Sequence, residues 1–127
     1  QVVSRMARDL DIPIPIEAVP TMREADGLAM SSRNRFLRAE ERATAPILYQ
    51  VMQEVARDIS AGGAVPAILA AGQVRLVAAG FAPDYLALVV AESMEPIATP
   101  DLAAPMRLLA AAKLGSVRLL DNMPVPA

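Results

Sequence analysis

In the segment "ADGLAMSSRNRFL", residues 25–37, two adjacent hydroxyls, Ser31 and Ser32, are followed at once by Arg33, with Arg23 and Arg35 close by. Hydroxyl and backbone N–H groups are compact donors, and a guanidinium is a permanently charged, planar fork of donors. Together they suit an anion rich in oxygens, phosphate above all. Gly27, ahead of the run, permits a positive φ or a close approach of backbone to a ligand. A purely structural reading accounts for the same residues. Asp26-Gly27 is a common turn, Ser-Ser a common helix start, and Arg33 or Arg35 could simply pair with Glu24 or Glu40. From the residues alone both readings stand.

Little else in the chain offers chemistry. Its 127 residues include no histidine and no cysteine, which removes the commonest general base, the commonest metal ligand and all thiolate or disulfide chemistry. Neither a P-loop nor a GxGxxG pattern is present. Asp121-Asn122 could form a site, but between two apolar runs and Pro124 they read as the end of a strand. Glu92 and Glu95, among Ser93, Met94 and Pro96, read as an exposed loop. By residue type alone Met22 and Met30 are packing residues. A net charge of −2 gives no electrostatic footprint for nucleic acid and no polybasic membrane patch, so neither partner is expected. No apolar run approaches the roughly 18 residues that span a bilayer. These features predict a soluble, cytoplasmic protein, and a start at Gln1 inside an amphipathic segment suggests a piece of a longer chain, with processing as the alternative explanation.

The elements that must position the polar run follow from periodicity. Val2, Val3, Met6 and Leu10 recur at helical spacing and predict a short helix over 2–10. Pro13, Pro15 and Pro20 then forbid helix, and alternating Ile12, Ile14 and Ile16 suggest an extended edge segment or linker. Residues 25–37 read as loop or short turns. Ile47, Leu48, Val51, Met52, Val55 and Ile59 predict a helix within 40–60, kinked at Pro46 or preceded by a separate opening turn. No Ser or Thr cap stands before "RAEER", so fraying is expected at that helix start. A second helix is expected from Pro66 to Ala79, with Gly80 as its stop and a core face of Ile68, Leu69, Val77 and Leu76 or Gly72. Residues 85–91, 106–114 and 117–123 are short apolar runs that read as strands, the last two joined by a tight turn at 114–116, although the Ala-rich middle run could instead be helical by propensity. Consecutive strands joined this way are antiparallel neighbours, so the predicted fold is α+β, two helices on a three-stranded antiparallel sheet. With 54% hydrophobic but only 3% aromatic residues, its core must consist of small and aliphatic side chains.

"VPTMREADGLAMSSRNRFL", "EERATAPILY" and "LLAAAKLGSVRLLDN" closely resemble the carboxy-terminal part of the bacterial pantothenate synthetase family, the pantoate–beta-alanine ligases, over nearly the whole chain. The resemblance implies an ATP-dependent ligase that joins pantoate to beta-alanine through a pantoyl-adenylate, releasing pyrophosphate and then AMP. It implies Mg2+ accompanying ATP and a homodimer at full length. "MSSRN" looks like the family's counterpart of a KMSKS loop, so Met30, Ser31, Ser32 and Arg33 would contact ATP phosphates. Met22 would meet the adenine end, largely through backbone. The family's HIGH-like loop, lysine-bearing loop and pantoate-binding glutamines lie upstream of Gln1. Residues 1–20 then correspond to the last helix and strand of a Rossmann nucleotide-binding domain with its linker, and 21–127 to a lid domain. The isolated chain is expected to be inactive. The rival expectation is a non-catalytic self-association or interaction module in which the Arg/Ser run is only a turn.

Overall fold

Apolar residues at positions 48, 51, 52, 55, 56 and 59 form one continuous stripe, and in the computed structural model, which describes residues 1–99 and 104–126, that stripe is the buried face of a 14-residue helix. The elements in chain order are α1 (Val2–Asp9), a 3-10 helix (Ser32–Phe36), α2 (Ala39–Thr44), α3 (Ile47–Ser60), α4 (Val65–Ala78), β1 (Ala82–Val90), β2 (Met106–Leu114) and β3 (Val117–Val125). The strands form one antiparallel sheet in the order β1-β2-β3. Helices α3 and α4 pack on one face of that sheet, as expected from the pattern. The core lies between these layers: Leu48, Met52 and Ile59 of α3, Leu76 of α4, Leu88 of β1 and Leu108 of β2 are all essentially inaccessible.

Pro46 separates two helices rather than kinking one. Its ring is tolerated as the N-cap of α3, where no i−4 carbonyl of that helix is yet in place. The start of α2 has a cap despite lacking Ser or Thr, contrary to the expected fraying. Glu41 reaches back to accept the backbone N–H of Arg38 at 2.9 Å and the Arg38 Nε at 2.9 Å, the reverse half of a capping box. The Glu41 carboxylate also lies against Gly115 in the β2–β3 turn, where a Cβ would strike it. Gly115 has φ +58° in this two-residue turn, as the first central position of a hairpin turn with glycine in the lead requires.

On α4 the core face is Val65, Gly72 and Leu76, with Ile68 and Leu69 half-buried. Val77, expected on that face from sequence, is 59% exposed, because it lies about 100° around the helix from Leu76. Gly72 lets α4 approach closely: a Cβ there would lie 2.7 Å from Leu86 and 2.8 Å from Val55. Strand β1 begins three residues before the expected Tyr85, passing through Pro83 and an irregularity at Pro83/Tyr85, which an edge strand accommodates. Nor does β3 end at Asp121-Asn122. It runs through Pro124 to Val125, its other edge being unpaired. Residues 12–20 are exposed and form no strand, and the Ile14 N–H turns back to the Ile12 carbonyl at 2.8 Å. No helix of the described residues is long and apolar enough to cross a membrane.

Candidate functional site

Residues 22–30 fold back as a small hairpin. Its ladder is made by Glu24 N–H to Leu28 C=O at 2.8 Å and Met30 N–H to Met22 C=O at 2.9 Å, with Arg23 and Ala29 bridged between them. Gly27 closes the apex at φ +91°, a conformation that strongly favours glycine, and its Cα faces the Tyr49 ring so closely that a Cβ would lie 2.8 Å from Cδ1. Asp26 accepts the Leu28 N–H at 3.2 Å, so the Asp-Gly turn expected from sequence is real. The hairpin brings Met22, eight residues away in sequence, to one hydrogen bond from Met30. Both methionines are exposed, at 66% and 62%, so the expectation that they are packing residues does not hold.

The Ser-Ser-Arg run leaves the hairpin and turns at once into the 3-10 helix. Ser31 is its N-cap, and its Oγ accepts the Arg33 backbone N–H at 3.2 Å. A hydroxyl that accepts in this way still has its own O–H to donate. Ser31, Ser32 and Arg33 are all exposed. The ion pairs weighed against an anion-binding role do not form. Among the described residues Arg33 and Arg35 pair with neither Glu24 nor Glu40, and Arg35 instead lies 4.7 Å from the adjacent Phe36 ring. Ser31 and Arg33 line a cleft of about 180 Å³ together with Thr21, Met30, Tyr49 and Asp121.

What holds this run in place is only partly legible in the sequence. Glu24 is taken by Arg42 of α2 at 2.7 Å and by the Asn34 amide at 3.1 Å, and Arg42 also reaches Asp26 at 2.5 Å. Asn34 Nδ2 donates a second time, to the Ala29 carbonyl at 3.1 Å, tying the 3-10 helix to the hairpin that it follows. On the opposite side Arg23 gives two hydrogen bonds to the Asp121 carboxylate of β3, at 2.6 and 2.9 Å. Its guanidinium also lies 3.5 Å over the Tyr49 ring of α3. Burial opposes the Arg23 charge, but the hydrogen bond and charge of Asp121 outweigh it and raise its pKa. Asp121 is therefore a partner within the strand and not the strand terminator that its neighbours suggest. The sequence does carry a signal for this place: Asp121 alternates with Val117 and Leu119 on the core-facing side of β3, and a carboxylate there requires a partner.

Glu24 is held below the ordinary carboxylate range first by its hydrogen bond from Arg42 and then by Asn34. Asp26 is lowered first by Arg42 and then by the Leu28 N–H. Because the folded state depresses these pKa values, their contribution to stability is complete above the unfolded value, near 4, and is lost as pH falls through the folded values. The melting temperature of the chain is therefore expected to fall on acidification below about pH 5. Arg42→Gln should flatten that acid limb while lowering stability at neutral pH. An acid limb of unchanged steepness in the variant would assign the loss to other groups.

A family model described as pantoate-beta-alanine ligase matches residues 1–124. A pantothenate synthetase of Rhodopseudomonas palustris (strain ATCC BAA-98 / CGA009) is 53% identical over 125 residues, spanning 98% of this chain and 44% of its own length. One of Rhizorhabdus wittichii is 54% identical with the same coverage. The crystal structure of pantothenate synthetase from Thermus thermophilus matches with a TM-score of 0.89 at 41% identity, over 99% of this chain and 45% of that one. A Francisella tularensis pantoate-beta-alanine ligase, complexed with beta-gamma ATP and beta-alanine, shares the fold, with a TM-score of 0.67 at 21% identity over 97% of this chain and 38% of that one. The chain thus spans less than half the length of the relatives it matches.

Proposed function

This chain belongs to the pantoate–beta-alanine ligase family, and on that premise we propose that it is the carboxy-terminal part of an ATP-dependent ligase condensing pantoate with beta-alanine. In the proposed reaction the pantoate carboxylate attacks the α-phosphorus of ATP and pyrophosphate leaves. The beta-alanine amine then attacks the acyl carbon of the pantoyl-adenylate, forming the amide and releasing AMP. No protein nucleophile is required, so positioning and charge stabilisation supply the rate. Residues 21–127 act as the lid, and residues 1–20 complete the upstream nucleotide-binding domain.

The observation that carries this reading is the exposed donor set of Ser31, Ser32 and Arg33 at the start of the 3-10 helix, directly after Met30 of the hairpin and, among the described residues, unpaired with the nearby acids. Negative charge builds on the phosphate oxygens as the α-phosphorus bond to pyrophosphate breaks. The Arg33 fork and the two hydroxyls are of the type to meet it. Met22, joined to Met30 through its carbonyl, is proposed to border the adenine end. Mg2+ would arrive with ATP as part of the substrate. Among the described residues no three His, Cys, Asp or Glu side chains gather as a metal site, so no ligand to it is assigned. The full-length enzyme is proposed to work as a cytoplasmic homodimer.

Val2, Val3, Met6, Leu10, Ile12, Ile14, Ile16 and Val19 are all exposed in the chain by itself, as expected of a segment that packs against an upstream domain. The experiment is complementation: residues 1–127 are mixed with, or joined to, the upstream part of the Rhodopseudomonas palustris relative, and pyrophosphate release is assayed with ATP and pantoate. The chain alone should release none, and the completed ligase should release it only when both substrates are present. Turnover by the chain alone, or an inactive joined protein together with concentration-dependent self-association of the chain, would favour the non-catalytic module instead.

A further inference from the structure

Arg23 lies outside the Ser-Ser-Arg run, yet three parts of the fold converge on it. Its guanidinium donates twice to Asp121 of β3, once more to the Gly27 carbonyl at the hairpin apex at 3.1 Å, and stacks on Tyr49 of α3. The Asp121 side chain is 3% exposed and that of Arg23 17%, so the pair is largely withdrawn from water and its geometry is fixed by both partners. Asp121 Oδ1 is held in turn by the Asn122 backbone N–H at 2.7 Å.

We propose that Arg23 is a positioning residue for adenylation, setting where the hairpin presents Ser31, Ser32 and Arg33 to the phosphates. The inference rests on the reading of that run as the phosphate-binding group. Two short connections transmit its position. Arg23 sits in the ladder between Met22 and Glu24, so the Met30 N–H to Met22 C=O bond ties the residue before Ser31 to the backbone of its neighbour. Ala29, bridged to Arg23, offers its carbonyl to Asn34, which fixes the far side of the 3-10 turn. A tilt of the Arg23 guanidinium therefore moves both ends of the Ser-Ser-Arg run together. Arginine is required because the same planar group must chelate a carboxylate and lie flat on a ring. Lysine keeps the charge but loses the fork and the stacked plane.

The test uses the completed ligase with Arg23→Lys, the milder Tyr49→Leu, which leaves the ion pair intact, and Arg33→Ala as reference. Single-turnover pyrophosphate release reports adenylation. Single-turnover pantothenate formation from supplied pantoyl-adenylate and beta-alanine reports the second step, and thermal melting reports stability. Misplacement of a binding group by an ångström costs up to about a hundredfold, so Arg23→Lys should slow adenylation about tenfold or more, with the second step unchanged. Tyr49→Leu should slow adenylation in the same direction by a smaller factor. If either variant melts lower while adenylation per folded molecule is unchanged, or if both steps slow equally, Arg23 is a stability residue and the inference is overturned. If Arg33→Ala itself leaves adenylation unchanged, the phosphate-binding reading fails and the inference falls with it.

Discussion

Replacing Arg33 with alanine in the completed ligase is expected to slow single-turnover pyrophosphate release about a hundredfold, the equivalent of roughly 3 kcal/mol of transition-state stabilisation. The side chain is exposed and pairs with neither of the acids weighed against it, Glu24 and Glu40, so its removal takes away little packing. The melting temperature should therefore barely move. In the proposed role its donors would matter most when charge on the phosphate oxygens is reorganising, since a donor that binds ATP and transition state equally alters KM rather than the rate at saturation. Arg33→Lys should recover part of the rate, because it restores the charge but not the planar pair of donors. Unchanged release with a large fall in melting temperature would make Arg33 structural, and the Ser-Ser-Arg run would be no more than the start of a 3-10 helix.

The largest expected effect on stability is at Asp121. Asp121→Ala leaves the Arg23 guanidinium, 17% exposed and pressed on Tyr49, without its carboxylate. Removing one partner of a buried pair costs about 3–5 kcal/mol, and the low end applies here because Arg23 keeps some contact with water and its bond to Gly27. Denaturant unfolding of the wild type, Asp121→Ala and the double variant Arg23→Met/Asp121→Leu measures it. The double variant should recover much of the loss, since two apolar groups replace two charges that had to be desolvated together. If the double variant is as unstable as Asp121→Ala, the site depends on the ion pair itself rather than on avoiding an unpaired charge.

The periodicity of the apolar residues determined the architecture. Stripes at three- and four-residue steps specify α3 and α4, and short apolar runs broken by glycine and proline specify three strands, because each face must be buried against another. The types of Ser31, Ser32 and Arg33 offered a donor set suited to phosphate, but by themselves they did not separate that role from an ordinary turn and helix start. Only the tertiary structure decided what the neighbouring charges do. Sequence proximity suggested that Arg33 or Arg35 would pair with Glu24 or Glu40. In the fold Glu24 instead belongs to Arg42 and Asn34, brought to it by the turn into α2. Arg23 and Asp121, 98 residues apart, share no local signal, and their pairing exists only because the edge strand β3 carries a carboxylate on its core-facing side to where the hairpin apex lies on α3. Met22 and Met30 look like core residues by type and become a surface pair only through the backbone ladder between them. Periodicity records which face of an element is buried, whereas the partner of a charged group depends on which elements meet, and that is a property of the packed chain.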